Sequence, residues 1–453
     1  MKSINPTNGE VVAEYPEHDD GEVDRRLEDA HRAFRLWRRT AFSERAEAMS
    51  RAGEILEKRK DELARLMAIE MGKPVAAGRA EAEKCAWVCR YYSDEAETML
   101  ADQPIGTERS KSYIHHEPLG VVLAVMPWNF PFWQVFRFIA PALMAGNGGV
   151  LKHASNVSGC ALQIDEILDE AGFPHGLFST LLIGSDRVAK VLEDPRIVAA
   201  TLTGSEPAGR AVAAKAGSML KKTVLELGGS DPYLILADAD LEKAAAICAQ
   251  SRTINNGQSC IAAKRFIVVD EVADTFTQAF TKEMAAYEMG DPLEEETRLG
   301  PLARRDLRDE LHQQVARSVE AGAKALLGAE VPEGPGAFYP ASVLSGVREG
   351  MAAYSEELFG PVAAVISVES EDEAVSVAND TSFGLGAAVF STDVERAEHL
   401  AATRLEAGAC FVNALVASDP RLPFGGVKSS GYGRELSMLG IKEFVNQKTV
   451  VVA

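Results

Sequence analysis

The amino-acid sequence predicts an α/β protein built around two parallel sheets. From Ser112 onwards, short apolar segments alternate with helical stretches, which is typical of parallel strands joined by helical crossovers. The alternation is interrupted at Gly228 and Gly229 and then resumes, which indicates two α/β units that meet there. A length of 453 residues suits two or three domains, and a composition of 46% hydrophobic and 25% charged residues is ordinary for a compact globular protein.

The individual elements follow from the spacing of apolar residues. From Asp24 to about Leu100, apolar residues recur every three or four positions, which predicts helices, and Gly72 followed by Pro74 predicts a helix end. The strands predicted in the first unit are GVVLAVMPW, GGVLKHA, FSTLLIG, IVAATLTGS and TVLELGG, and those in the second unit are RFIVVDE, PVAAVISVE, GAAVFSTD and ACFVNAL.

Composition and charge exclude several classes of function. The formal net charge is -20 at pH 7, whereas nucleic-acid binding needs clustered Lys and Arg, so no nucleic-acid partner is expected. No apolar run approaches the roughly 20 residues that span a bilayer, so we expect no membrane partner and a cytoplasmic location. Six cysteines without a CxxC pair indicate a reduced compartment. Cys85 and Cys89 are interpreted as core residues, and no metal site is predicted.

A lone cysteine follows a run of turn-forming residues in the stretch NNGQSC, Asn255 to Cys260. A rigid turn can aim a thiol, and the segment CIAAKRF that follows would bring backbone N–H groups near the sulfur. Cys260 is therefore a candidate nucleophile. The alternative is that it is a small buried hydrophobic residue.

Asn129 and Glu226 each follow or end a predicted strand. Asn129 lies between the prolines of PWNFP, which fix the backbone so that the amide projects from a strand end and can donate to an oxyanion. Glu226 in LELGG ends an apolar strand, where burial should raise the pKa of its carboxyl group to a value that suits a general base. The alternatives are an asparagine that satisfies its own turn and a solvated loop acid.

Together these motifs resemble those of the aldehyde dehydrogenase superfamily. PWNFP, LELGG and NxGQxC occur in that order, and Glu226 and Cys260 are separated by 34 positions, 260 minus 226. The later motifs EELFGPV, SFGLGAAVF and PFGGVKSSGYGRE also resemble the family, so that the resemblance extends from NPTNGE at Asn5 to the C-terminal strand. It implies an aldehyde-dehydrogenase-like fold with two Rossmann-type domains and a small β oligomerisation element.

The resemblance also implies a reaction. The Cys260 thiolate attacks an aldehyde, and the oxyanion is held by the Asn129 amide and the Cys260 backbone N–H. Hydride passes to a nicotinamide ring, and Glu226 activates the water that hydrolyses the resulting thioester to a carboxylate. The presence of Glu226 favours hydrolysis over transfer of the acyl group to coenzyme A.

The cofactor pocket is expected to differ from the usual dinucleotide fingerprint, because no GxGxxG follows a strand. Gly204 and Ser205 in TGSEPAG open a predicted helix whose N–H groups can face a pyrophosphate. By similarity to the family, Trp128, Glu357 and Phe359 also face the cofactor, with Glu357 on the nicotinamide ribose.

Cofactor preference is expected to depend on the segment GGVLKHAS. In the family the lysine, here Lys152, reaches the adenosine ribose, and NAD-preferring members often carry glutamate where this chain has Ser155. Serine can donate a hydrogen bond to a 2′-phosphate, which glutamate would repel. NADP is therefore the preferred cofactor, with NAD as the alternative.

The substrate side is similar to that of succinate-semialdehyde dehydrogenases. Arg137, on the helix after PWNFP, can clamp a substrate carboxylate with two hydrogen bonds, and Ser418 lies where members of that group direct a serine toward the carboxylate. Phe424 suits the wall of a narrow aldehyde tunnel, together with Phe132 and Trp133. The alternative for Arg137 is a salt bridge at the surface or between domains.

One position departs from that group. Some of its members carry an arginine just before the NxGQ motif, where this chain has Ile254. Arg252 lies two residues earlier in the chain.

The family arrangement implies three parts of the chain. These are a cofactor-binding domain at 1–103 and 119–228, a catalytic domain at 229–430, and an oligomerisation element at 104–118 and 431–453. In the last part, Ser112 to Glu117 and the C-terminal KTVVVA are expected to pair with each other or with a second subunit. A homodimer or homotetramer is typical of the family.

The expected function is thus oxidation of an aldehyde, with succinate semialdehyde favoured, by NADP or NAD. The first alternative is a dehydrogenase for a neutral or cationic aldehyde. The others are a cofactor-independent thiol esterase that uses Cys260 and Glu226, and a non-catalytic protein that keeps the fold.

Overall fold

The computed structural model describes residues 1–453 and contains fifteen α-helices and eighteen strands. The helices are α1 (Asp20–Trp37), α2 (Phe42–Lys58), α3 (Lys60–Met71), α4 (Val75–Met99), α5 (Trp133–Met144), α6 (Ser158–Ala171), α7 (Val188–Glu193), α8 (Glu206–Ser218), α9 (Leu241–Thr253), α10 (Asp270–Ala285), α11 (Arg305–Glu320), α12 (Ala352–Ser355), α13 (Glu371–Asn379), α14 (Val394–Thr403) and α15 (Ser437–Ile441). The strands are β1 (Lys2–Ile4), β2 (Val11–Glu14), β3 (Gln103–Pro104), β4 (Lys111–Pro118), β5 (Val121–Met126), β6 (Gly148–His153), β7 (Phe178–Thr180), β8 (Ile197–Thr203), β9 (Lys222–Glu226), β10 (Pro232–Ile235), β11 (Arg265–Val269), β12 (Lys324–Leu327), β13 (Ser342–Ser345), β14 (Val362–Val368), β15 (Gly386–Phe390), β16 (Ala409–Val412), β17 (Gly431–Tyr432) and β18 (Val445–Val452).

The five strands predicted in the first unit form a six-stranded sheet with one additional strand. Its order is β17-β9-β8-β5-β6-β7, and β5 to β9 are parallel while β17 runs antiparallel to β9. Because parallel strands have their carboxyl ends at one edge, the residues that follow β5, β6, β8 and β9 all lie at that edge. Ligands of open α/β sheets bind there, and PWNFP, KHAS, TGSE and ELGG are all at that position in this sheet.

The second unit forms a seven-stranded sheet in the order β12-β13-β14-β11-β10-β15-β16. All of its strands are parallel except the edge strand β12, which is antiparallel to β13. The predicted segments are β11, β14, β15 and β16, whereas β10, β12 and β13 were not predicted. β10 is only four residues long and starts with a proline directly after the Gly228–Asp231 junction, and β12 is largely exposed, so neither has a long apolar run.

The two β-like pieces outside the alternation pair with each other in this chain. β18 runs antiparallel to β4 over eight residues, from Val445 opposite Pro118 to Val452 opposite Lys111, and β3 completes a three-stranded sheet. The short strand β17 belongs instead to the six-stranded sheet, so the segment after residue 430 contributes to two sheets. The division into three domains stays a prediction.

The helices before the first sheet pack against it as amphipathic elements. The helix end predicted at Gly72 is the C-terminus of α3, where Gly72 has a φ of 77°, and Pro74 precedes α4. Cys85 and Cys89 on α4 are fully buried in the same hydrophobic core as the six-stranded sheet. Each large apolar side chain buried there contributes about 1.5–3 kcal/mol. None of the helices combines the length and the apolar character needed to cross a membrane.

Candidate active site

A left-handed turn sets the position of Cys260. Asn255, Asn256 and Gly257 have φ values of 54°, 58° and 74°, a backbone region that glycine adopts freely and that asparagine tolerates better than other residues. The turn ends α9 and directs the chain into the short loop that carries Cys260. The residue types of NNG are therefore those that this backbone requires.

The two asparagine side chains attach the turn to the segments around it. Asn255 Nδ2 donates to the backbone oxygen of Asn129 at 2.7 Å. Asn256 Nδ2 donates to the backbone oxygens of Gly72 at 2.8 Å and Pro301 at 3.0 Å. Each bond satisfies a buried carbonyl group, so the amides fix the cysteine loop relative to the loop after β5.

Cys260 lies on a wall shared by two cavities. The larger cavity, of about 400 Å³, is lined by residues 127–129, 203–207 and 227–228 and by parts of α11 and the segment around Glu357. The smaller cavity, of about 210 Å³, is lined by parts of α4 and α5 and by residues 416–418. Cys260 and Gln134 line both cavities. A group in the smaller cavity and a group in the larger cavity can therefore approach the same sulfur.

The Cys260 side chain is partly exposed, in contrast with the buried small hydrophobic residue of the alternative interpretation. Burial of the sulfur nevertheless raises the pKa of the thiol to about 12, and the positive charges of Lys264 and Arg137 oppose this rise. Lys264 is fully buried and donates to the backbone oxygens of Ser259 at 2.8 Å and Cys260 at 2.6 Å. The thiolate is therefore a minor form at neutral pH, and its fraction increases as the pH rises.

Two hydrogen-bond donors, the Asn129 amide and the Cys260 backbone N–H, belong to residues that line the larger cavity. Asn129 is buried, its Nδ2 donates to the Gln258 backbone oxygen at 3.0 Å, and its Oδ1 accepts from Gln134 Nε2 at 3.0 Å. Gln134 thus fixes which end of the amide is the donor, and the second Nδ2 hydrogen remains available. The backbone N–H of Cys260 donates to no protein acceptor. Asn129 does not satisfy its own turn, and the pair of donors suits an oxyanion.

Glu226 ends β9 and is buried, with 2% of its surface exposed, so it is not a solvated loop acid. Neither carboxylate oxygen has a hydrogen-bond partner, and Glu226 does not line either cavity. Burial and the nearby negative charge of Glu435 raise the pKa of Glu226 well above its ordinary value, while Arg137 and Arg434 oppose this. The neutral acid is therefore the favoured form in this arrangement.

Arg137 is buried and forms an ion pair with Glu435, which is buried as well. Its Nη2 donates to Thr203 Oγ1 at 3.3 Å, and its guanidinium carbon lies 4.7 Å from the centre of the Phe424 ring. Arg137 also lines the smaller cavity. It is thus part of an internal ion pair and also part of the cavity wall, and it does not lie at the surface.

The larger cavity collects most of the residues expected to face a cofactor. Trp128 and Phe359 meet edge to face, with ring centres 5.8 Å apart. Glu357 Oε1 accepts from the Gly229 backbone N–H at 3.1 Å and lies 3.5 Å from Lys264 Nζ.

Gly204 and Ser205 line the same cavity where α8 begins, and the Ser205 side chain forms no capping bond to the helix. The Gly204 N–H donates to the Glu226 backbone oxygen at 2.9 Å, whereas the Ser205 N–H has no backbone acceptor and suits a phosphate group. The helix lies close to the sheet, because a Cβ atom on Gly209 would come within 2.6 Å of Leu227.

Lys152 and Ser155 lie outside the larger cavity, at the carboxyl end of the neighbouring strand β6. Lys152 is half-buried and forms no ion pair or hydrogen bond, and burial lowers the pKa of its ammonium group. Ser155 is exposed. An unpaired, partly buried cation beside an exposed hydroxyl group fits an anionic group at the far end of a long cofactor.

The smaller cavity collects the residues expected on the substrate side. Ser418, Phe424 and Trp133 line it, whereas Phe132 is fully buried in the core and does not. Ile254, at the position where some related proteins carry arginine, also lines this cavity.

Arg252 does not line the smaller cavity. It is fully buried and donates to the Gly257 backbone oxygen at 2.6 Å, so it stabilises the turn.

Three residues of the site were missed from the sequence. Gln134 orients the Asn129 amide, Glu435 faces Glu226, and Lys84 lines the smaller cavity. Gln134 lies three residues after PWNFP, and Glu435 is the last residue of PFGGVKSSGYGRE. The available signal was a polar residue inside or beside a motif of the family. Lys84 has no such signal, because a lysine on an amphipathic helix is usually solvent-exposed.

Comparisons with known proteins show the family and the fold of the chain. Residues 1–450 match the model of the aldehyde dehydrogenase family. A protein of Synechocystis sp. named "Probable succinate-semialdehyde dehydrogenase", specified for NADP(+), is 51% identical over 453 residues, which is 100% of both chains. A succinate-semialdehyde dehydrogenase of Mycobacterium tuberculosis, also specified for NADP(+), is 49% identical over 456 residues and 100% of both chains. The crystal structure of the succinic semialdehyde dehydrogenase from Streptococcus pyogenes with NADP+ superposes with a TM-score of 0.97 at 38% identity, covering 100% of this chain and 99% of that one.

We predict that Gly257→Ala destabilises the protein. Alanine is strained at a φ of 74°, which costs about 1–3 kcal/mol, and its Cβ atom would clash with the backbone of Gly360. The matched control is Gly217→Ala in α8, where the added methyl group meets no atom within 4 Å and should stabilise by about 0.5–1 kcal/mol. Unfolding midpoints measured in urea and by heating check this, and equal shifts for the two variants would contradict it.

Proposed function

The chain belongs to the aldehyde dehydrogenase family, and from this premise we propose that it oxidises succinate semialdehyde to succinate with NADP. The observation that carries the proposal is the position of Cys260 between the two cavities. The larger one has the helix terminus and aromatic walls that suit a nicotinamide nucleotide, and the smaller one has a cationic wall that suits a short carboxylated aldehyde. The names of the relatives in Synechocystis and Mycobacterium support the same substrate and cofactor.

The first step is the attack of the Cys260 sulfur on the aldehyde carbon. The reacting form is the minor thiolate, whose proton has passed to solvent water; a carbon–sulfur bond forms, and the C=O π electrons move to the oxygen, which becomes an oxyanion. The Asn129 amide and the Cys260 N–H donate to that oxygen, and removing one such donor typically costs about 3–4 kcal/mol of transition-state stabilisation. An oxidised nicotinamide in the larger cavity would supply the hydride acceptor, and loss of the hydride from the adduct would leave a thioester on Cys260.

The second step is hydrolysis of the thioester. Water adds to the acyl carbon after giving a proton to a base, and the carbon–sulfur bond breaks to release the carboxylate and the cysteine. Glu226 is the residue available as that base. The step requires its carboxyl group to lose its proton and to turn towards the larger cavity, whose wall includes the next two residues, Leu227 and Gly228.

The residues around the larger cavity fit NADP. Gly204 and Ser205 would hold the pyrophosphate at the start of α8, and Glu357 would accept from the nicotinamide ribose. Lys152 and Ser155 would hold the 2′-phosphate, because a half-buried ammonium group without a partner gains a counter-charge there.

We also infer a homodimer or homotetramer and a cytoplasmic location. The three-stranded sheet has exposed edges, and exposed apolar residues on β18, Val451 and Val452, favour pairing with a second copy. All six cysteines are free, as expected in a reduced compartment. Sedimentation equilibrium of the full chain tests the oligomeric state.

We predict that kcat/KM is highest for succinate semialdehyde with NADP in a panel of short semialdehydes and neutral aldehydes. Ser155→Glu should lower kcat/KM with NADP by at least about tenfold and so lower the NADP/NAD ratio of kcat/KM, because a carboxylate repels the 2′-phosphate. Steady-state rates of reduced-cofactor formation with each cofactor check both parts. An unchanged NADP/NAD ratio would contradict the cofactor assignment, and equal or higher kcat/KM for neutral aldehydes would contradict the substrate.

We predict that Glu226→Gln slows turnover by about 10²–10⁴-fold because the base is lost. Formation of the thioester does not need this base, so one equivalent of reduced cofactor should appear in a rapid burst. In the wild type, kcat should rise with pH as Glu226 deprotonates, since its pKa is raised. Stopped-flow absorbance measures both.

The control variant for this experiment is Glu54→Gln, at an exposed position on α2 without an ion pair, and it should behave as the wild type. If Glu226→Gln retained the wild-type kcat, another group would have to be the base.

A further inference from the structure

Most charged side chains on the wall of the smaller cavity have a partner of opposite charge. Lys73 and Glu81 form a buried ion pair, and Arg137 pairs with Glu435. Lys84 is the exception, because no carboxylate lies within ion-pair distance of its ammonium group. The cavity therefore contains one cation that is not already neutralised by the protein.

The Lys84 ammonium group is held at the cavity wall by two contacts. Its Nζ donates to Ser418 Oγ at 2.8 Å and lies 4.5 Å from the centre of the Trp133 ring. Lysine has three N–H donors, so two remain, and the Ser418 hydroxyl hydrogen is also free because Ser418 Oγ acts as the acceptor. Together they form a set of donors on the wall of the cavity.

The charges around Lys84 come from several elements. Glu81 and Cys85 lie on its own helix α4, Arg137 lies on α5, and Asp419 follows Ser418. Burial and then the positive charge of Arg137 lower the pKa of Lys84 to about 8, and the acids do not offset them. An anion in the cavity would favour the charged form of Lys84. A bound carboxylate therefore stabilises the Lys84 ammonium group, which has no partner of opposite charge in the protein.

The position of Lys84 also accounts for the departure at Ile254. That residue lines the same cavity and contributes no charge, and the neighbouring Arg252 is committed to the turn. Lys84 supplies a charge to this cavity from a different helix. A cavity of about 210 Å³ lined by Lys84 and Ser418 and also by Cys260 suits a short chain with a carboxylate at one end and an aldehyde at the other.

We propose that Lys84, together with Ser418, binds the carboxylate of the substrate and so determines the preference for a carboxylated aldehyde. This assignment rests on the proposed function. Arg137 lines the same cavity, but its charge is paired with that of Glu435. The ion pair through Nε and the bond from Nη2 to Thr203 leave three of its five N–H groups, so Arg137 adds donors to the site and Lys84 adds the unpaired charge.

The test compares succinate semialdehyde with butanal, which has the same four-carbon chain without the carboxylate. In Lys84→Met, KM for succinate semialdehyde should rise about 10- to 100-fold, as expected for loss of a charge-assisted hydrogen bond. KM for butanal should change by less than about threefold, and kcat for both by less than about threefold. The matched control is Lys243→Met, an exposed lysine on α9 without an ion pair, which should leave all constants unchanged.

Each outcome separates this proposal from the proposed function. If the wild type prefers succinate semialdehyde and Lys84→Met alters both substrates equally, Lys84 is not the carboxylate-binding residue, and the proposed function stands. If the wild type does not prefer succinate semialdehyde to butanal, both proposals fail. A large rise in KM for succinate semialdehyde alone supports both.

A second measurement uses the wild type and does not depend on the folding of a variant. As the pH rises through about 8, Lys84 loses its charge, so the ratio of kcat/KM for succinate semialdehyde to that for butanal should fall by at least about tenfold by pH 10. Titration of Cys260 and Glu226 affects both substrates and cancels in the ratio. A ratio that stays constant from pH 7 to pH 10 would overturn the proposal.

Discussion

The backbone turn at Asn255 to Gly257 is the constraint on which the site depends. It is left-handed at three consecutive residues, and its amides bind the loop after β5 and the ends of distant segments. This turn places Cys260 on the wall between the two cavities. The oxyanion donors follow from the same arrangement, because Asn129 lies on the loop that Asn255 binds and the Cys260 N–H has no other acceptor.

Buried charges set the protonation of the reacting groups around this turn. Lys264 lies under the cysteine loop and opposes the rise of the Cys260 pKa, and Arg137 opposes the rises at Cys260 and Glu226. Burial, and then the charge of Glu435, raise the pKa of Glu226, so the base is held as a neutral acid until it moves. The chain thus keeps its nucleophile and its base largely protonated in this conformation, and both become more active as the pH rises.

Much of this could be predicted from the sequence, because parallel strands and turn residues are local signals. The family, the α/β fold class and the NAD(P)-dependent oxidation of an aldehyde are confirmed. The short strand β10 was missed since it starts with a proline, and β12 since it is exposed. Long-range contacts have no local signal: neither the electrostatic effect of Glu435 on Glu226 nor the presence of Lys84 in the same cavity as Cys260 could be predicted from spacing. The site roles and the domain boundaries stay predictions.

The central claim is that the Cys260 sulfur forms a covalent bond to the substrate carbon between the two cavities. The most direct measurement is mass spectrometry of protein quenched with acid during turnover of aldehyde with oxidised cofactor, compared with Cys260→Ala. The account predicts an acyl group on the peptide that contains Cys260, and neither adduct nor turnover in Cys260→Ala. Oxidation of the aldehyde by Cys260→Ala at the wild-type rate would contradict it.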